Sequence, residues 1–154
     1  MLLASYDQGI FQQVLWNTLQ GHPFESTLSS QLSASVGQGG ELPSVDYERL
    51  GQHFTPTLLL WAPLLGLIGG AALPIVQVGL ITAAGLVLHR LACRQLPERT
   101  ANWIGYGYFA GNALIGPTLG NFTDLCQLPL AVFALMLGVL CLLYTSDAAD
   151  DLYR

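Results

Sequence analysis

Four polar side chains in this sequence have the chemistry of a base, an acid or an anion-binding group: Asp7, Arg49, His53 and Asp124. A carboxylate can take a proton from a hydroxyl group that lies within hydrogen-bond reach. The planar guanidinium of an arginine suits the oxygens of a phosphate, and a histidine can hydrogen-bond or protonate such an oxygen because it titrates near neutral pH. A fold that gathered these residues would combine proton transfer with phosphate binding.

Each of these residues also has a structural interpretation that the sequence leaves open. Asp7 stands at the head of a helical pattern, where a carboxylate can cap free backbone donors and suits the helix dipole. His53 could instead cap the apolar segment that follows it, and Arg49 could be a solvated loop charge. Asp124 could be a second acid, a metal ligand or a helix cap at a membrane interface.

The element that carries Asp7 has the pattern of a short amphipathic helix. Apolar residues recur at helical spacing over residues 10–19, with glutamines at positions 8, 12, 13 and 20 on the other side. Gly21 follows at the position where a left-handed C-cap is expected. The pattern predicts a helix that lies on a surface with a carboxylate at its N-terminus.

The composition is that of an integral membrane protein. Of the 154 residues, 52% are hydrophobic and 10% are charged, against about a quarter charged in ordinary soluble domains. The net charge of −5 comes from ten acids against five arginines with no lysine, so the basic surface expected for nucleic-acid binding is lacking. Cys93, Cys126 and Cys141 lack the close spacing of zinc or redox motifs.

Hydropathy divides the chain into a polar loop domain and a membrane region. Residues 1–55 are polar and predict an external, periplasmic loop with a short amphipathic helix. The apolar block over about 56–70 is shorter than the roughly 20 residues that cross a hydrocarbon core, so it predicts a re-entrant or interfacial helix. The rest of the membrane region, which extends to residue 140, predicts three spans, over about 73–91, 103–119 and 125–143.

Charge sets the orientation of these segments. The first span ends in Arg90, Arg94 and Arg99, which mark its cytoplasmic end by the positive-inside rule. Residues 1–70 then lie outside, and the polar stretch at 120–124 returns to the same side. Three of the candidate site residues, Asp7, His53 and Asp124, are therefore predicted to share the external face.

Two short motifs resemble a known family. The run YDQGIF, with its Asp-x-Gly-Ile-Phe core at residues 7–11, and the run GQHFTP at residues 51–56 resemble the bacterial membrane-protein family named domain of unknown function 2079 (DUF2079). The resemblance covers most of residues 5–140, and that family is similar to the C-type glycosyltransferase (GT-C) superfamily. It implies an all-α, multi-pass, GT-C-like protein of the bacterial inner membrane.

The resemblance also implies a function. In C-type enzymes the first large external loop carries a catalytic acid near its beginning and the sugar donor is a polyprenyl-phosphate lipid, which would make Asp7 the catalytic residue. His53, Arg49 and Asp124 become the candidate substrate-binding residues, and membrane lipids the partners. The alternatives are a non-catalytic protein that binds or transports a lipid-linked substrate, and a structural membrane subunit. Whether the chain is an enzyme stays open at this point.

The sequence departs from the family pattern in several places. Relatives often have acids where this chain has Gln12 and Gln52, and often have Phe-His-Pro-Glu where it has Asn-Phe-Thr-Asp at residues 121–124. A paired-carboxylate mechanism is therefore not predicted. No cofactor is assigned, and a divalent metal stays an open alternative with no metal ligand named.

Both ends of the chain suggest an N-terminal fragment, inactive alone, of a larger protein. Relatives begin with a span before the Asp motif, whereas residues 1–3 are at most its remnant. Residues 141–154, CLLYTSDAADDLYR, resemble a translated sequencing adapter, so we expect this tail to be non-native. The alternative is an ordinary acidic tail after a span.

Overall fold

The computed structural model describes residues 6–44, 46–51, 55–111, 115–116, 118 and 120–152. The described chain is mostly helical, which confirms the predicted all-α class, and no β-strand forms within those residues. An isolated antiparallel bridge joins Glu25 to Glu48.

Seven α-helices and four short 3-10 helices are described. The α-helices are α1 (Tyr6–Leu19), α2 (Thr27–Ser30), α3 (Ala34–Gly37), α4 (Ala62–Ile68), α5 (Ala72–Gln95), α6 (Glu98–Ala110) and α7 (Leu128–Leu152). The 3-10 helices cover Arg49–Gly51, Pro56–Trp61, Gly69–Ala71 and Asp124–Gln127.

Helix α1 ends in the C-cap that the sequence predicts. Gly21 has a φ of 93°, and its N–H donates to the carbonyl of Thr18 while the N–H of His22 donates to that of Asn17. These two bonds are the Schellman pattern, which needs a residue with positive φ and therefore favours glycine. The prediction of a left-handed cap at Gly21 is confirmed.

The chain divides into two compact units, of which the first comprises Met1–Gln77 and Pro117–Asp124. Its core lies under one face of α1, where Ile10, Val14 and Phe24 form a buried cluster against Leu28 and Leu50. This unit is larger than the loop predicted over residues 1–55, because it also includes α4, the start of α5 and the residues around position 120.

Side-chain hydrogen bonds fix the loop that follows α1. Ser26 is buried and caps α2, since its Oγ accepts from the N–H of Ser29 at 3.1 Å. The same hydroxyl donates to Oε1 of Gln13 at 2.8 Å, and that oxygen also accepts from the N–H of Leu28 at 3.1 Å. The loop is thus tied to α1 by satisfied polar groups.

The predicted re-entrant segment and first span correspond to one helical run, Pro56–Gln95. Within this run Gly69 has φ 63° and ψ −145° and ends α4 before α5 begins at Ala72. A glycine is required there, because side-chain-bearing residues rarely adopt that backbone conformation. The placement of residues 56–70 along the membrane surface stays a prediction.

The second unit comprises Val78–Gly116 and Leu125–Arg154. In it, the ring of Phe109 occupies the space that a side chain at Gly85 would take. The hydroxyl of Tyr108 donates to the carbonyl of Ile81 at 3.2 Å, and its ring meets that of Phe133 edge-on at 6.1 Å. Gly85 of α5 thus lets the ring of Phe109 of α6 pack against the α5 backbone, as small residues do between membrane helices.

Two helices among the described residues are long and apolar enough to cross a membrane, Pro56–Gln95 and Asp124–Tyr144. Almost none of the second is buried by the rest of the chain. Helix α6 has 13 residues and is about 20 Å long, shorter than a hydrocarbon core. Part of the span predicted over 103–119 lies outside the described residues, so that span stays a prediction.

The break at Gly69 can be tested by adding one methyl group. We expect Gly69→Ala to lower the free energy of unfolding by about 1–3 kcal/mol, because alanine is strained at this φ and ψ. Gly66→Ala is the matched control: Gly66 lies inside α4 with room for a Cβ, and alanine there is neutral or stabilising by up to about 1 kcal/mol. Thermal unfolding in detergent compares the two variants, and equal effects would contradict the assignment.

Candidate functional site

Asp7 lies in the first turn of α1 with its side chain exposed. Helix α1 already includes Tyr6, so Asp7 is not the residue before the helix that a side-chain N-cap requires. Its Oδ2 atom instead accepts a hydrogen bond of 2.9 Å from Nδ2 of Asn121. The carboxylate is thus tied to a residue 114 positions away in the sequence while it remains open to solvent.

The residues around Asn121 are held in turn by Gln77 of α5. We refer to residues 118 and 120–123 as the Asn121 segment. The Nε2 atom of Gln77 donates to the carbonyls of Thr118 at 3.2 Å and Asn121 at 2.8 Å, and its Oε1 accepts from the N–H of Thr123 at 2.9 Å. Gln77 is only 1% exposed. One buried amide therefore binds three points of the Asn121 segment.

An aromatic contact joins α1 to the same segment. The rings of Phe11 and Phe122 meet edge-on with their centroids 5.4 Å apart, and both side chains are buried. Such T-shaped pairs are favourable because the positive ring edge faces the negative ring face. Phe11 lies one helical turn after Asp7, so the apolar contact and the Asp7–Asn121 hydrogen bond fix the same end of α1.

Arg49 is buried beside this aromatic pair rather than solvated. Its side chain is 7% exposed, its guanidinium carbon lies 4.8 Å from the centroid of the Phe11 ring, and its Nη1 donates to Oγ of Ser29 at 3.0 Å. The alternative of a solvated loop charge is therefore wrong. Within the described part of the chain, the buried Nε atom of Arg49 has no hydrogen-bond partner.

The charges of the site act on one another. Burial lowers the pKa of Arg49, while the carboxylates of Asp124 and Asp7 and, after them, Tyr47 raise it. The guanidinium nevertheless stays charged, because arginine is not deprotonated in proteins. Arg49 is thus a permanent, poorly hydrated positive charge in the field of two carboxylates.

Three of the four residues predicted from the sequence belong to one cluster. Asp7, Arg49 and Asp124 all lie in the first unit and are close enough to interact electrostatically. Asp124 is the first residue of a 3-10 helix, and its cap alternative stays a prediction. His53 lies outside the described residues. Whether any of these residues is catalytic or binds a substrate stays a prediction.

Sequence reasoning missed Asn121 and Gln77. Nothing in the spacing of Asn121 distinguishes it from other polar loop residues. Gln77 did carry a usable signal, because a polar residue inside an otherwise apolar membrane-helix pattern calls for a partner and a role. Its partners, however, lie more than 40 residues further along the chain, where no local pattern indicates them.

A separate groove of about 420 Å³ lies between α1 and the end of α4. Its lining includes Gln12 and Trp16 from α1, and Leu65 and Gly70 from the other side. At 100° per residue, Gln12 and Trp16 lie on the face of α1 opposite to Asp7. The groove and the Asp7 cluster are therefore two different surfaces of the same helix.

The described residues contain no group of three or more His, Cys, Asp or Glu side chains arranged to hold a metal ion.

The burial of Arg49 predicts a structural effect of its removal. We expect Arg49→Ala to lower the free energy of unfolding by about 2–4 kcal/mol, because a desolvated cation–π contact and a charged hydrogen bond are both lost. The exposed Arg99 provides the control, and Arg99→Ala should change stability by less than about 0.5 kcal/mol. Intrinsic tryptophan fluorescence during thermal unfolding measures both; similar values would show that Arg49 is solvated after all.

Comparison with known proteins identifies the family. A scan against protein-family models matches residues 1–141 to the family described as predicted membrane protein (DUF2079), whereas searches of curated proteins and of solved structures give no match. The match includes Asp7, Arg49 and Asp124. The similarity to C-type glycosyltransferases and the adapter origin of the tail stay predictions. Because the family match covers most of the chain and confirms the resemblance drawn from its two motifs, the chain belongs to the DUF2079 family of predicted membrane proteins.

Proposed function

We propose that this protein transfers a sugar from a polyprenyl-phosphate donor at the external surface of the bacterial inner membrane, with Asp7 as the general base. In this proposal the protein is multi-pass and has the GT-C architecture. The observation that carries the proposal is the state of Asp7: an exposed carboxylate, oriented by Asn121, in the field of a buried arginine.

The proposed step forms one bond and breaks another. Asp7 accepts the proton of the acceptor hydroxyl while the oxygen of that hydroxyl bonds to the anomeric carbon of the sugar. The bond between the anomeric carbon and the phosphate oxygen breaks, and its electron pair leaves on the polyprenyl phosphate. A base that is both exposed to substrate and fixed in orientation suits this step, since proton transfer requires hydrogen-bond reach in a productive geometry.

Arg49 supports the proposal through its charge. A guanidinium that is poorly hydrated and lies near the reacting groups stabilises negative charge more strongly than a solvated one. Its buried Nε donor lacks a partner among the described residues, so little of the guanidinium's charge is offset by hydrogen bonds. We propose that Arg49 and His53 favour the leaving phosphate, and that Asp124 is a further substrate-binding residue.

The segment before α5 supports the position of the site at a membrane surface. Leu60 and Leu67 are 70% and 82% exposed, although leucine is normally buried in water-soluble domains. The arginine-rich end of α5 would lie on the cytoplasmic side by the positive-inside rule. A lipid-linked donor would then approach from the bilayer, beside α1.

Substitution of Asp7 tests the proposal. In the protein expressed from its native gene, we expect Asp7→Asn to lower sugar transfer by at least about 100-fold, because general base catalysis contributes roughly 10²–10⁴-fold. The assay uses native membranes and a polyprenyl-phosphate hexose with a radiolabelled sugar, and follows loss of label from the lipid phosphate.

The matched control is Asp46→Asn, which removes another exposed carboxylate of the same unit. It should leave the rate within about twofold of the original, as expected for a surface change. Undiminished transfer by Asp7→Asn would rule out Asp7 as the base. Donor binding without transfer by the original protein would instead favour a lipid-binding or transport protein.

A further inference from the structure

We infer that Asn121 is the positioning residue for Asp7 and that the buried amide of Gln77 holds Asn121 in place for that task. This inference rests on the proposed function, since it assigns Asn121 a role in the sugar-transfer step. Neither residue would touch the reacting atoms. They act through the orientation of the Asp7 carboxylate.

The hydrogen bond between Asn121 and Asp7 restricts the Asp7 carboxylate. An exposed aspartate on a helix surface ordinarily samples several side-chain rotamers. The bond of 2.9 Å from Nδ2 of Asn121 engages one carboxylate oxygen, Oδ2. That contact selects one rotamer and leaves the carboxylate at the surface, where an acceptor hydroxyl can approach it.

Asn121 is itself anchored by Gln77. A positioning residue is effective only if its own backbone is fixed. Gln77 binds the carbonyl of Asn121 at 2.8 Å, the carbonyl of Thr118 at 3.2 Å and the N–H of Thr123 at 2.9 Å. Because Gln77 is buried at 1% exposure, breaking these bonds would leave polar groups without partners in an apolar setting, which is unfavourable.

An apolar contact anchors the neighbour of Asn121 in the chain. This neighbour, Phe122, is 2% exposed and packs edge-on against Phe11, one turn of α1 after Asp7. The Asn121 segment is thus fixed to α5 by Gln77 and to α1 by Phe122. Between these two anchors, the Asn121 side chain has a defined direction toward Asp7.

The chemistry requires a donor at position 121 rather than merely a side chain of the same shape. Asn121→Asp keeps the shape but replaces the donor with a second carboxylate facing Asp7. Asn121→Ala removes the donor and leaves the backbone contacts with Gln77 available. A positioning role makes both variants lower kcat, whereas a role confined to packing would make the isosteric aspartate much milder than alanine.

The test measures kcat and KM for a polyprenyl-phosphate hexose in native membranes, with the protein expressed from its native gene. We expect Asn121→Ala and Asn121→Asp each to lower kcat by about 10–100-fold with KM changed by less than about threefold, because loss of orientation affects the transition state. Asn17→Ala is the matched control: its amide donates to the carbonyl of Glu25 at 3.0 Å in the same unit, and we expect kcat to be unchanged.

A double substitution and an exchange experiment complete the test. In an Asp7→Glu background, which displaces the carboxylate by one methylene, Asn121→Ala should have a much smaller effect on kcat. Gln77→Leu should accelerate hydrogen exchange of the Asn121 segment, a readout that does not depend on activity. Full additivity of the Asp7 and Asn121 effects, or unchanged exchange in Gln77→Leu, would overturn the inference.

The outcomes separate this inference from the proposed function. If Asp7→Asn abolishes transfer while both Asn121 variants keep the original kcat, the base assignment stands and only the positioning role is wrong. If Asp7→Asn retains full transfer, the proposed function fails, and the positioning role fails with it because there is no base to orient.

Discussion

The fold of the first unit depends on the buried amide of Gln77, which requires hydrogen-bond partners. Gln77 lies in an apolar helix, and its side chain is almost fully buried. An amide buried without a hydrogen-bond partner is unfavourable by about 1–3 kcal/mol in typical protein sites, and by several kcal/mol in the least polar surroundings. The backbone of the Asn121 segment supplies the partners. That requirement brings Asn121 and Phe122, which are distant in sequence, against α1.

Phe11 links the Asn121 segment to Arg49. Phe11 meets Phe122 edge-on, and the guanidinium carbon of Arg49 lies 4.8 Å from the centroid of the Phe11 ring. Burial lowers the pKa of Arg49, and the nearby carboxylates of Asp124 and Asp7 oppose that shift. A buried cation near two acids is retained only when those acids and its hydrogen bond to Ser29 compensate for lost hydration.

The sequence was sufficient for those features that depend on local patterns. Apolar periodicity predicted α1, the glycine rule predicted its cap at Gly21, and continuous hydropathy predicted the two long apolar helices. The predicted grouping of Asp7 with Asp124 came from the topology, which places both on one side of a membrane. The burial of Arg49, for which the sequence left a solvated loop charge open, includes a contact with Phe11 of α1 that no local pattern around residue 49 indicates.

The contacts that orient Asp7 could not be predicted from local patterns. Gln77 reaches partners 41 to 46 positions away, and Asn121 reaches Asp7 across 114 positions. Periodicity and capping rules operate within a few turns of a helix or loop, and they contain no information on such pairings. A polar residue within an apolar helix indicates that a partner exists without indicating which one.

The most direct test of this account is a cryo-electron microscopy structure of the protein, expressed from its native gene, in a lipid nanodisc. The account predicts that Gln77 contacts the backbone of the Asn121 segment, that the Asn121 amide lies within hydrogen-bond distance of the Asp7 carboxylate, and that this cluster is at the membrane surface. A map in which Asp7 and Asn121 lie in separate parts of the molecule would contradict it.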